Sequence, residues 1–113
     1  MVRRGEIYNV DWSPGRGSEQ AGIRPALVIQ NDAGNRSSPT TIVAAVSTQQ
    51  RRHYPFHVAI SPQESGLPLD SVVKCEQIQT ADQTRLGNLL GFLGADKMRE
   101  VDAALHRSLG LES

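Results

Sequence analysis

A single thiol, Cys75, is all the cysteine chemistry this 113-residue chain carries. An intrachain disulfide is therefore excluded, and a thiolate metal cluster lacks ligands. A reducing, cytoplasmic home is the expectation. The three histidines, His53, His57 and His106, fall in separate segments without H-x-x-H spacing, so no metal site is expected. There is no P-loop, no G-x-G-x-x-G fingerprint and no nucleophile elbow, and hence no sign of a cofactor. Nothing approaches the run of roughly 20 apolar residues that a membrane helix needs. The opening MVRRGEIYNV is charged but has no apolar h-region, so neither a membrane span nor a secretory signal is expected. Net charge is absent too, with 12 basic against 12 acidic residues.

The distribution of that charge is uneven. Residues 1–60 carry +3 and residues 61–113 carry −3, and arginine dominates the basic set: Arg3, Arg4, Arg16, Arg24, Arg36, Arg51 and Arg52 all lie in the first part. A neutral chain can thus present a local positive field. The planar fork of arginine suits phosphate.

The length allows one domain, 1–113, with a modest core. GEIYNVDW reads as a first strand, with Tyr8, Val10 and Trp12 alternating with polar residues. SPGRGSEQAGIRP is a long loop rich in breakers, and loops beyond about 12 residues in compact domains tend to be functional or disordered. ALVIQ is a second strand, apolar enough for burial on both faces. NDAGNRSSP is turn chemistry throughout. TTIVAAVST and FHVAI are strands three and four, SPQESGLP a loop with room for one helical turn, DSVVKCEQIQT a fifth strand, and NLLGFLG a short last one. In the fifth strand, Val72, Lys74, Glu76 and Ile78 are expected on one face, with Val73, Cys75, Gln77 and Gln79 on the other. Cys75 is expected to be a core or interface thiol. The period then changes: Met98, Val101, Leu105 and Leu109 mark a helix, with Gly94 or Asp96 as N-cap and Gly110 at its end. The expected fold is mainly β (α+β), a small, strongly bent antiparallel barrel closed on one side by a C-terminal helix.

Without metal or cofactor motifs, the remaining chemistry is arginine, glutamate and hydroxyl. Such a set can cleave RNA, because RNA brings its own nucleophile. The 2′-OH needs a base, the leaving 5′-oxygen an acid, and the phosphorane a positive partner. Glu19 is a candidate base and Arg24 a candidate charge stabiliser, with Ser47 or Thr48 as a hydroxyl donor at the end of the third strand. Pro25 disfavours the helical region for Arg24 and holds it extended at the strand entrance. The plainer alternative is an exposed Glu19–Arg24 ion pair worth about 0–1 kcal/mol, with two hydroxyls that simply end a strand.

The run RRGEIYNVDWSPGRGSEQAGIRPALVIQNDAGNR closely resembles the opening of the MazF/PemK family of bacterial toxins. The resemblance continues through TTIVAAVSTQ, YPFHVAI, DSVVKCEQIQTADQTRL and DAALHRSLGL, and so covers nearly the whole chain. It implies an SH3-like barrel with a C-terminal helix, and a homodimer with single-stranded RNA lying across the subunit junction. It implies a sequence-specific, metal-independent endoribonuclease that cuts mRNA without the ribosome, leaving 2′,3′-cyclic phosphate and 5′-OH ends. It also implies a cognate antitoxin whose C-terminal tail blocks the RNA groove. On this resemblance Arg24 matches the catalytic arginine, and Glu19 a glutamate that is either catalytic or loop-ordering. Ser47 stands where the family usually has a threonine, with Thr48 next to it as the alternative. Ser71, Glu76 and Gln77 match groove-lining strand positions, and Arg85 follows in the same segment. Gln79 departs from a position that is often basic. Arg4, Arg16, Gln20 and Asn31 complete the expected RNA contacts. A CcdB-like poison that binds DNA gyrase on the same barrel is the alternative of another class, and a catalytically dead RNA-binding module is a third.

Overall fold

The strands anticipated from alternation are present and form one sheet, seen in a computed structural model that describes residues 1–12, 22–48 and 53–111. β1 spans Glu6–Asp11, β2 Ile23–Val28, β3 Thr40–Thr48, β4 His57–Ile60, β5 Ser71–Asp82 and β6 Leu89–Phe92. Three α-helices interrupt or follow them: α1 Asp32–Ser37, α2 Pro62–Ser65 and α3 Ala95–Leu109. The order across the sheet is β4-β5-β3-β2-β1-β6, antiparallel at every pairing. The sheet curls into a half-barrel with α3 packed against one of its faces, which is the expected fold class. No described helix is long and apolar enough to cross a membrane.

Period-two alternation sorts the strands into two apolar layers. Ile7, Leu27, Ala44, Val46, Val58, Ile60 and Val73 face α3, where Met98, Val101 and Ala104 meet them. Val10, Trp12, Ala26, Val28, Val43 and Ala45 point the other way into a second, smaller cluster. The helix stripe is shifted from the one expected. Ala104 is buried and Leu105 packs at the margin, whereas Leu109 is exposed. Gly94 is the N-cap and Gly110 closes the helix in the left-handed region at φ 70°.

Besides β2, which begins at Ile23 within the expected loop and ends at Val28 rather than Gln30, two local features depart from the sequence reading. Residues 32–37 form helix α1 rather than turns alone. Gly34, Asn35 and Ser37 are poor helix formers, so propensity does not hold this element. A side-chain network does. Asn31 Oδ1 accepts from the Gly34 backbone N–H at 2.7 Å, and buried Asn35 accepts from Thr41 Oγ1 at 2.7 Å and from Gln30 Nε2 at 3.0 Å. Gln83 Nε2 donates to the Asn35 carbonyl at 2.8 Å. Second, β5 does not alternate throughout. Its register with β3 jumps from Ala45–Lys74 to Ala44–Ile78, so Cys75, Glu76 and Gln77 bulge. Val72 and Val73 are both buried, which means both faces are covered there. A bulge bends and twists its strand, and this one curls the long β5 around the concave core.

The seam between the edge strands β4 and β6 is narrowed by α2. Its start is a capping box, in which Ser61 Oγ accepts from Glu64 N at 3.2 Å while Glu64 Oε2 accepts from Ser61 N at 2.9 Å. Pro62 opens the turn and Gly66, at φ 81°, ends it. A Cβ on Gly91 of β6 would lie 1.8 Å from the Ser65 carbonyl oxygen. Only glycine permits β6 to approach so closely.

Candidate active site

A pocket of about 400 Å³ opens at the strand ends where β2, β3 and β5 meet. One wall is apolar: Pro25, Val46, Leu67, Pro68 and Leu69. The rest is polar and consists of Arg24, Ser47, Thr48, Ser71 and Lys74. No carboxylate of the described residues lines it, so its charged groups are both cations. The volume falls within the roughly 300–1,000 Å³ range of small-ligand sites.

Strand register decides how the polar groups are arranged. Ala26 pairs with Ala45, Leu27 with Ala44 and Val28 with Val43. Carried two residues further, that register sets Arg24 level with Ser47. Arg24 shares its face of β2 with Ala26, and Ser47 shares its face of β3 with Ala45. Both therefore project on the side of the second apolar cluster. Thr48 and its partner Ser71 belong to the opposite face, that of Val46 and Ile60. The two neighbouring hydroxyls are thus distinct: Ser47 stands with Arg24, and Thr48 does not.

The hydrogen bonds sharpen the distinction. Ser47 Oγ is buried and has no hydrogen-bond partner among the described residues. Burying a hydroxyl without a partner is costly, so this oxygen marks a place where a ligand atom would be welcome. Arg24 is exposed, and its guanidinium is joined by no hydrogen bond or ion pair to a described residue. Pro25 follows it inside β2 and occupies a ladder position where Asn9 is its Cα partner. Ser71 Oγ, by contrast, donates to the Leu69 carbonyl at 2.9 Å. That bond shapes the Leu67–Leu69 wall, which is also held by Leu67 N donating to Ser65 Oγ at 3.1 Å.

Of the other residues expected at the site, several are placed elsewhere. Arg4 donates from Nε to the Ile29 carbonyl at 2.8 Å and pairs through Nη2 with Asp102 at 2.5 Å, tying the N-terminal segment to α3. Asn31 caps α1. Glu76 accepts from, or pairs with, His57 Nε2 at 2.9 Å on the β5 bulge, beside the stacked rings of Tyr54 and Phe56. Gln77 shares that bulge, Gln79 pairs with Val43 beyond it, and Arg85 lies in a 3-10 turn after β5. None of these six lines the pocket; for Glu76, Gln77 and Gln79 the reason is that the end of β5 that reaches it is the one beginning at Ser71. Glu19, Gln20 and Arg16 lie outside the described residues. Lys74 and the Leu67–Leu69 wall were not anticipated. The alternation that placed Lys74 opposite Cys75 was available in the sequence, but its pairing with Ala45 was not.

The titratable groups with clear shifts sit away from the pocket. Burial, helped by the nearby Glu76 carboxylate, pushes the Cys75 thiol up to about 12, which leaves it un-ionised and inert. Burial and then the Glu6 carboxylate raise the Tyr8 phenol to about 12. No three His, Cys, Asp or Glu side chains among the described residues converge as a metal site would require.

A family of PemK-like, MazF-like toxins of type II toxin–antitoxin systems matches residues 3–109. Among solved structures, the chain is similar to an endoribonuclease from a mycobacterial species in complex with its cognate antitoxin. The TM-score is 0.83 and the identity 29%, over 100% of this chain and 99% of that one. A second mycobacterial endoribonuclease superposes with a TM-score of 0.79 at 28% identity, over 96% and 91% of the two chains. MazF of Deinococcus radiodurans gives a TM-score of 0.78 at 28% identity over 96% of both chains. With the family match spanning almost its full length, this chain belongs to the PemK-like, MazF-like toxins of type II toxin–antitoxin systems.

Proposed function

We propose that this toxin is a metal-independent endoribonuclease that cuts single-stranded mRNA at the pocket lined by Arg24 and Ser47. The observation that carries the reading is the buried Ser47 hydroxyl, without a partner among the described residues, on the same sheet face as an Arg24 guanidinium that none of the described residues engages. In the reaction, the RNA 2′-oxygen forms a bond to the adjacent phosphorus as its proton leaves to a base. The bond from phosphorus to the 5′-oxygen then breaks, and that oxygen takes up a proton. The products are a 2′,3′-cyclic phosphate and a 5′-OH. Arg24 stabilises the added negative charge with charge-assisted hydrogen bonds, and Ser47 donates a further one. A guanidinium is poorly matched to giving up a proton near neutral pH, so charge stabilisation is the role assigned to Arg24. The base is assigned to Glu19, the carboxylate that the sequence and the family resemblance single out.

The similarity to endoribonucleases supports this reading, and two of those structures, the mycobacterial complex and a MazE–MazF complex of D. radiodurans, contain an antitoxin. A cognate antitoxin is accordingly the proposed protein partner here. A homodimer is proposed as the working form, because a core this small gains stability from a covered surface, and Leu89 and Phe92 are exposed on the edge strand β6. The gyrase-binding alternative gives the pocket's cations and the Ser47 hydroxyl, unpartnered among the described residues, no task.

Substitution of the arginine tests the assignment. Arg24→Ala should lower kcat/KM on single-stranded RNA by about 10²–10³-fold, while light scattering still reports a dimer and the thermal midpoint is unchanged. Near-normal cleavage would remove Arg24 from the mechanism.

A further inference from the structure

Lys74 is a cation with no described counter-ion. It is half-buried in the lining of the pocket, and no hydrogen bond or ion pair joins its ammonium to a described residue. Its place in the sheet is specific. Lys74 pairs with Ala45 on β3, and Val72 pairs with Ser47. Side chains directly opposite in a ladder share a face, so Lys74 projects on the same side as Ala45 and hence as Ser47. Arg24 reaches that same side from β2. Ser47 on the central strand is therefore flanked by one cation from each neighbouring strand. Arg24 stands on that face two residues beyond the last β2–β3 pair, Ala26–Ala45, and Lys74 lies on the diagonal from Ser47, at about 7–8 Å. Four methylenes let a lysine ammonium cover that distance.

Resting on the nuclease reading above, we infer that Lys74 and Arg24 form a two-sided clamp on the one phosphate seated over Ser47. Each cation takes a different non-bridging oxygen, and the Ser47 hydroxyl donates between them. Three donors, with no carboxylate beside them among the described lining residues, suit a phosphate that gains negative charge as the 2′-oxygen adds. The apolar wall of Leu67, Pro68 and Leu69 excludes water from one side and so strengthens each contact. The arrangement also explains how a chain of zero net charge holds a polyanion: the two cations are placed on one face, and no acidic side chain of a described residue stands in the pocket beside them.

The clamp is tested by comparing wild type with Lys74→Met, which keeps an apolar stem without the charge, and Lys74→Arg, which restores it. kcat/KM on a long single-stranded RNA is measured from about 50 to about 200 mM salt. Lys74→Met should lose about 10- to 100-fold at low salt, and the slope of log rate against log salt should become shallower by about 0.7, the value for one phosphate contact on a single strand. Lys74→Arg should recover most of both. An unchanged salt slope in Lys74→Met overturns the clamp, whatever happens to the rate, because a merely structural loss does not remove a counter-ion from RNA. If wild type itself leaves RNA intact, the nuclease reading fails instead. The clamp is then judged by fluorescence anisotropy with a labelled single-stranded oligoribonucleotide, where the same difference in salt slope is expected and its absence refutes it.

Discussion

Replacing Ser47 by alanine should make the protein more stable and nearly inactive. The hydroxyl is buried without a partner among the described residues, and leaving such a group unpaired costs about 1–3 kcal/mol. Alanine removes the oxygen and leaves the rest of the packing in place. Net stabilisation of about 1 kcal/mol follows, or roughly 4 °C in thermal midpoint for a chain of this size. The same change deletes the donor proposed for the reacting phosphate, and loss of such a donor typically costs about 10²–10³-fold in kcat. Stability gained where function is lost is the mark of a site kept open for a ligand. Thr48→Ala is the matched control. Thr48 lines the pocket from the other face of β3, so its loss should leave the rate within about threefold of wild type, as no donor to the phosphate is removed. Thermal melts followed by circular dichroism and single-turnover cleavage of one RNA substrate read both quantities on the same preparations. A Ser47→Ala protein destabilised by more than about 1 kcal/mol would mean that the hydroxyl has a protein partner. A larger rate loss in Thr48→Ala than in Ser47→Ala would refute the register argument.

Two further outcomes follow from the packing. Gly91→Ala sets a methyl 1.8 Å from the Ser65 carbonyl oxygen, so β6 or α2 must shift, at a cost of about 1–3 kcal/mol. Gly94→Ala, with open space around the new carbon, should cost less than about 1 kcal/mol, and urea titration distinguishes the two. Cys75 should resist iodoacetamide at pH 8–9 in the native protein and react readily in urea, because its thiol ionises only near 12 when folded. With its pKa raised by folding, the thiol also makes stability fall as pH climbs from the unfolded value near 8.5 towards 12, since the unfolded chain loses that proton first.

What the sequence disclosed and what it hid divide along physical lines. β3 and α3 are legible in their apolar residues: β3 as a continuous run buried on both faces, α3 as a stripe through Met98, Val101 and Leu105. Asn35 could not have been read as a helix anchor, since its partners Thr41 and Gln83 reach it only after the chain folds back. The β5 bulge is invisible for a related reason: Val72 to Ile78 reads as unbroken alternation, and only the pairing with Ala44 and Ala45 shows the slip. At the site, Arg24 and Ser47 were legible as residue types next to a strand. The choice between Ser47 and Thr48 turns on register, as does the place of Lys74 on the same face. The intrachain contacts of Arg4 and Asn31 were not legible either, because a guanidinium and an amide look alike whether they hold RNA or a backbone group. In the folded chain, Arg4 holds Ile29 and Asp102, and Asn31 holds the first turn of α1.

The central claim is tested most directly by incubating the purified protein with a long single-stranded RNA in excess EDTA and determining the chemistry of the new ends. The account predicts cleavage at a small set of sites, with 2′,3′-cyclic phosphate on one fragment and 5′-OH on the other. Intact RNA, or fragments ending in 3′-OH and 5′-phosphate, would contradict it.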